Sequence, residues 1–322
     1  MKPWKVYFKG SLWGHHQRDH AGREIRVDYV FQWGEREWMV PAIYVCAQGL
    51  VMDLCVSAPC AVMKAFVEKW SPFEEEGDIS EEIRQEIERE HPLRIDVHAE
   101  VLCNGHRLRQ DHASGSGWMP ELCGPDGYRN DERAEEFVAH YGLDRERAWA
   151  FRRIMFPWNN GRGRREIHRL ILELSEHPTD FSGPSFTAGE GSVVFSHPLT
   201  EKEYALTVVA EQEDELPSEW FPGEGMEYPR RCVTLSYRVD PPAENISVRW
   251  CGRGDSPRVK TKDTYAPSAA CSVGVIMRER SGDEKRSASA LYFELPHQRQ
   301  WRITLQEKLV ADGVWSIIEE EK

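Results

Sequence analysis

No stretch of this sequence approaches the ~20 consecutive apolar residues that carry a helix across a bilayer. The opening residues, Met1-Lys2-Pro3-Trp4-Lys5, lead into no apolar run of signal-peptide type. These two absences make a cytoplasmic protein the expectation. No C-x-x-C pair occurs among the eight cysteines. Cys46, Cys55 and Cys103 fall inside apolar runs, where a free thiol behaves as a small core residue, so reduced cysteines are expected. Also absent are the G-x-x-x-x-G-K-[ST] phosphate loop, G-x-G-x-x-G, H-E-x-x-H and G-x-S-x-G, so none of the reactions those motifs mark is signalled. There is no tandem repeat of fixed period and no long low-complexity tract.

What is present is an acidic chain of 322 residues with net charge −13. That sign argues against general nucleic-acid binding, which rests on neutralising phosphates. A hydrophobic content of 40% beside 30% charged residues suits a folded chain with a substantial core. Twelve tryptophans are many for this length and raise the question of which are exposed.

The stretch from Asn130 to Trp158 carries the clearest helical spacing. Ala134, Phe137, Val138 and Tyr141 recur at i, i+3, i+4 and i+7. Asn130 or Asp131 is placed to cap that helix and Gly142 to close it. Asp144 is the expected start of a second helix, with Ala148, Phe151, Ile154 and Met155 on its apolar face and Pro157 ending it. Helices are also expected from Pro59 to Trp70 and again from an Asp78 cap onward.

Elsewhere the pattern is that of strands. Ile25, Val27, Tyr29, Phe31 and Trp33 alternate with polar residues, and Leu50 to Val56 is almost continuously apolar. Asp53 interrupts that run, and a carboxylate there must be paired, protonated or at an edge. Leu93 to Cys103 alternates and meets Asn104-Gly105, the strongest short hairpin signal. From Leu170 to Ile318 short strands follow one another with turns between them. The expected class is α+β. Residues 1–158 form a β-meander plus helices, and residues 159–322 a mainly antiparallel, sandwich- or barrel-like β domain. A helical layer lies between the two, and Asn159-Asn160-Gly161-Arg162-Gly163 is the boundary.

Phe186-Thr187-Ala188-Gly189, Phe195-Ser196-His197-Pro198-Leu199-Thr200, Gly225-Met226-Glu227-Tyr228-Pro229 and Thr234-Leu235-Ser236-Tyr237 resemble segments of a group of uncharacterised bacterial proteins from anaerobic gut organisms. Asn104-Gly105 and Phe156-Pro157-Trp158 extend the resemblance over most of the chain. These are packing and turn residues, so the resemblance implies no activity and no functional residue.

Two candidate sites follow from the residues. Between Arg145 and Arg169 stand eight arginines against Glu146 and Glu166, a local charge of 8 − 2 = +6 without a single lysine. Arginine grips carboxylates and phosphates through parallel hydrogen bonds. Arg152, Arg153, Arg162, Arg164 and Arg165 are therefore candidates for an anion site beside the domain boundary. The competing reading pairs them with the acidic segment 74–90, where nine acids face Arg84 and Arg89. The second candidate is His15, His16 and His20 with Asp19, which carry zinc-ligand chemistry, with a weaker set at Cys103, His106, Asp111, His112 and Cys123. The first implies a soluble non-catalytic binding protein for an anionic or carbohydrate ligand or a protein partner, with no cofactor. The second implies a metal-dependent hydrolase.

Overall fold

Alternation and turn chemistry place most of the strands. The computed structural model describes residues 4–14, 19–75, 80–121, 123, 129–159, 161, 166–221, 225–260, 265–267 and 283–319. The chain begins with β1 (Arg23–Trp33), β2 (Arg36–Val45) and β3 (Gly49–Pro59), then α1 (Cys60–Glu75) and α2 (Glu81–Glu90). Next come β4 (Val97–Cys103), β5 (His106–Arg109), β6 (His112–Trp118), α3 (Glu132–Tyr141), β7 (Arg147–Pro157) and β8 (Leu170–Glu176). β9 (Thr179–Phe186), β10 (Ser192–Ser196), β11 (Glu203–Glu215), β12 (Met226–Glu227), β13 (Arg231–Asp240) and β14 (Ile246–Trp250) follow. The last are β15 (Arg258–Lys260), β16 (Tyr265–Pro267), β17 (Lys285–Ala288), β18 (Trp301–Glu307) and β19 (Gly313–Ile318).

The chain divides into two units. The first is Met1–Pro178 with Lys308–Lys322, and the second is Thr179–Glu307. The connector at 159–163 therefore leads from β7 to β8 within the first unit.

In the first unit, a five-stranded sheet of order β1-β2-β3-β7-β6 packs on a four-stranded sheet of order β19-β8-β4-β5. Even-numbered β3 residues such as Leu50, Met52 and Leu54 face this interface together with Val101 and Leu172. Each such side chain, fully buried, contributes roughly 1.5–3 kcal/mol. The opposite face of the five-stranded sheet is covered by α3 and by Val6, Phe8 and Leu12 of the N-terminal segment. β3 and β7 pair over eleven residues and are buried on both faces.

β4 keeps its alternation and turns at Asn104 (φ 48°) and Gly105 (φ 82°), both left-handed as a two-residue hairpin requires. Asn104 also accepts the N–H groups of His168 and Arg169 at 2.9 and 3.0 Å and donates to the Glu166 carbonyl at 2.8 Å. Asn104→Ala removes all three bonds and is expected to cost about 1–3 kcal/mol, read from the urea midpoint.

α3 is capped by Asp131, which accepts the Arg133 N–H at 2.7 Å, and is closed by Gly142 at φ 65°. Its buried residues are Ala134, Phe137, Val138 and Tyr141. The cap of α2 is Ser80, while Asp78, expected in that role, lies outside the described residues.

In the second unit, the sheets β10-β11-β13-β17 and β14-β18-β9 enclose Phe186, Leu206, Leu235, Tyr237, Trp301 and Ile303. A small sheet, β12-β15-β16, stands apart from this core.

These sheets overturn the expected α+β class with a helical layer. Among the described residues the structure is predominantly β, with 50% strand against 15% helix, in five separate antiparallel sheets and no closed barrel. The largest single correction is Arg147–Pro157, which is a strand and not the second helix of a hairpin. A strand buried on both faces loses its period of two, so its apolar spacing imitates a helix. No helix among the described residues is long and apolar enough to cross a membrane.

Candidate anion-binding pocket

Arg145, Arg147, Arg152 and Arg153 of the arginine run are engaged by protein acceptors. β3 and β7 place Asp53 directly opposite Arg153, on the face covered by α3. The Arg153 Nε and Nη2 groups donate to the two Asp53 carboxylate oxygens at 2.8 Å each. Arg153 is 3% exposed and Asp53 0%, so neither reaches a ligand. Burial works against the Arg153 charge, and Asp53 more than offsets it, raising the Arg153 pKa. Tyr141 of α3 donates to Asp53 at 2.6 Å. Having spent its only hydrogen there, Tyr141 must accept from the Tyr44 hydroxyl, which in turn accepts from Trp4 Nε1 at 3.0 Å.

Arg152 points to the other face and donates to the carbonyls of Ile95 and Val97 at 3.4 and 3.1 Å. Arg145 pairs with Glu135 at 3.2 Å and Arg147 with Glu37 at 3.3 Å. None of these partners belongs to segment 74–90. Arg162, Arg164 and Arg165 lie outside the described residues, as do His15 and His16. The ligand role expected of Arg153 is thus corrected, because its guanidinium is sealed in the pair with Asp53.

Of the first metal candidate only Asp19 and His20 are described. Cys103 and His106 face each other across the β4–β5 turn, but His112 belongs to β6 in the other sheet. Among the described residues no three His, Cys, Asp or Glu side chains converge on one point.

A different arginine lines a cavity. The Gly34-Glu35 turn between β1 and β2 sets Arg36 opposite Trp33. There it borders a pocket of about 490 Å³ walled by Trp33, Trp38, Arg94 and Glu176. Trp33 Nε1 donates to the Ala311 carbonyl at 2.8 Å and Trp38 Nε1 to the Trp33 carbonyl at 3.3 Å, fixing both rings. Glu176 accepts the backbone N–H groups of Leu309 and Val310 at 2.9 and 3.0 Å. Arg94 donates to Asp96 at 2.9 Å.

Arg36 is half-buried and is held by the segment after α2. Nη1 donates to the Arg94 carbonyl at 2.6 Å and Nη2 to the His91 carbonyl at 3.4 Å. Among the described residues no carboxylate lies within ion-pair distance of it. Burial first, and the Arg94 cation second, lower its pKa from the ordinary guanidinium value, against the pull of Glu176 and Glu35. Guanidinium nevertheless remains protonated in proteins. The result is a partly desolvated cation with two of its five N–H groups used by acceptors among the described residues.

His91, at the end of α2, feels the same charge. Its Nδ1 accepts the Leu93 N–H at 3.1 Å, and its ring meets Phe66 edge-on. Burial, then Arg36, lower its pKa below the ordinary 6.5. Below that value the unfolded chain takes up a proton that the folded chain resists. The His91 contribution to stability is therefore full above about pH 6.5 and is lost as the pH falls toward the depressed folded value. Urea midpoints measured through this range are expected to fall less steeply in His91→Asn, which keeps an acceptor and cannot titrate.

No family model, no curated protein and no solved structure matches this chain.

The arginine run was conspicuous because its members are contiguous. Arg36 was not, because its neighbours Arg94 and Glu176 come from distant segments. The only local signal was a lone cation at a Gly-Glu turn flanked by Trp33 and Trp38.

Proposed function

We propose that this is a binding protein whose ligand carries a carboxylate or phosphate group held at Arg36. The observation that carries this reading is the half-buried Arg36 guanidinium at the wall of a cavity, with no carboxylate partner among the described residues. A partly buried cation with no carboxylate in ion-pair contact is unfavourable even with Glu35, Asp96 and Glu176 along the wall, and an arriving anion offsets that cost with charge-assisted hydrogen bonds. The buried Trp33 and Trp38 border the cavity on its apolar side.

The test is thermal unfolding in phosphate and in malonate at constant ionic strength. Each ligand that binds only the folded state adds RT ln(1 + [L]/Kd), about 2.7 kcal/mol at a hundredfold excess over Kd. A saturable rise in melting temperature is expected, lost in Arg36→Ala and reduced in Arg36→Lys, which keeps the charge without the fork. The double variant Arg162→Ala/Arg164→Ala is expected to retain the full response. Loss of the response in that double variant, with retention in Arg36→Ala, would return the site to the arginine run.

A further inference from the structure

The second unit contains a cleft of different chemistry. About 400 Å³ in volume, it lies beside the β12–β13 connection and is lined by Phe221, Tyr228, Tyr292, Glu215, Glu227 and Arg230, among others. Phe221 and Tyr228 stack, with ring centroids 5.5 Å apart and planes inclined by 27°. Their neighbour in the chain, Trp220, is 64% exposed. Such a concentration of rings at a water-facing cleft is unusual, since a large side chain normally hides its apolar faces.

The polar groups of this cleft are balanced. Glu215 and Glu227 supply acceptors, while Arg230 and the exposed Arg231 supply donors, so the lining charges cancel. Glu215 and Arg230 are fixed against each other at 2.6 Å, with Arg230 also donating to the Leu216 carbonyl. The Tyr292 hydroxyl accepts the Trp250 indole N–H at 2.7 Å and keeps its own hydrogen to donate. This pattern does not suit an anion, because Arg230, the half-buried arginine of the wall, is already paired with Glu215. It suits a neutral molecule with one apolar face and a rim of hydroxyl groups that both donate and accept. A pyranose ring has that form: its C–H face lies on an aromatic ring while its hydroxyls meet carboxylate and guanidinium groups.

We propose that this cleft is a carbohydrate subsite for a neutral pyranose, with Phe221 and Tyr228 as the stacking platform and Glu227 as a hydroxyl acceptor. The proposal is independent of the anion pocket, since no residue is shared.

The experiment is saturation-transfer NMR on the full chain with the methyl glycosides of glucose, galactose, mannose and N-acetylglucosamine as probes. Saturation is expected on the ring C–H protons of at least one glycoside. Phe221→Ala and Tyr228→Ala are each expected to weaken its binding about tenfold, the scale of one lost aromatic contact. Glu227→Gln, which leaves both rings in place, is expected to weaken it as well, and so serves if a ring variant fails to fold. Arg36→Ala is expected to leave it unchanged, which separates this site from the anion pocket. Absence of transfer from all four glycosides overturns the proposal. So does transfer that survives in Phe221→Ala, Tyr228→Ala and Glu227→Gln alike.

Discussion

Asp53→Ala is expected to destabilise the protein by about 3–5 kcal/mol, the cost of leaving a buried cation without its partner. Arg153 lies between the five-stranded sheet and the layer formed by α3 and the N-terminal segment, where water cannot replace the carboxylate. The substitution also removes the acceptor of the Tyr141 hydroxyl, on which Tyr44 and Trp4 depend in turn. Arg153→Ala strands Asp53 in the same way. Replacing both partners by apolar residues, Asp53→Leu with Arg153→Met, is expected to be milder than either single change, because no charge remains to be desolvated. Urea unfolding of the three variants checks this ordering. A double variant as unstable as the sum of the singles would show no coupling between Asp53 and Arg153 and would contradict this account.

Phe137→Ala is expected to cost a similar amount, about 3–5 kcal/mol. Phe137 is fully buried and stacks on Phe151 of β7, with centroids 4.0 Å apart and planes within 8°. It also meets Tyr141 edge-on at 4.7 Å. A helix as short as α3 does not persist in water by its caps alone and depends on this docking. Loss of the ring therefore loosens Tyr141 and with it the contact to Asp53. Combining Phe137→Ala with Asp53→Ala is expected to cost less than the sum, because both act on one attachment. Amide exchange should show the α3 protons opening first.

How much of this was legible depended on exposure. The β4–β5 hairpin could be read because one face of β4 is buried and the other is not, so Val97, Ala99, Val101 and Cys103 keep a strict period. α3 could be read for the same reason, with its Asp131 and Gly142 ends marked by capping chemistry. β7 could not, because Arg147 to Pro157 meets a partner layer on both faces. Asp53 announced that it needed a partner, but the identity of that partner is a matter of strand register. Arg153 lies a hundred residues away and was read as helical, so its guanidinium was expected to be free for a ligand. The pocket at Arg36 was hidden for a related reason. Its walls come from the first hairpin, the segment after α2, the end of β8 and the turn before β19, and no local pattern joins them.

The most direct measurement is a phosphate titration followed through the arginine Nε–Hε resonances of the ¹⁵N-labelled protein. The Arg36 resonance, assigned by its absence from Arg36→Lys, is expected to shift in a saturable manner. That of Arg153, sealed in its pair with Asp53, is expected to stay in place. A stationary Arg36 resonance while phosphate raises the melting temperature would contradict an anion site at this pocket.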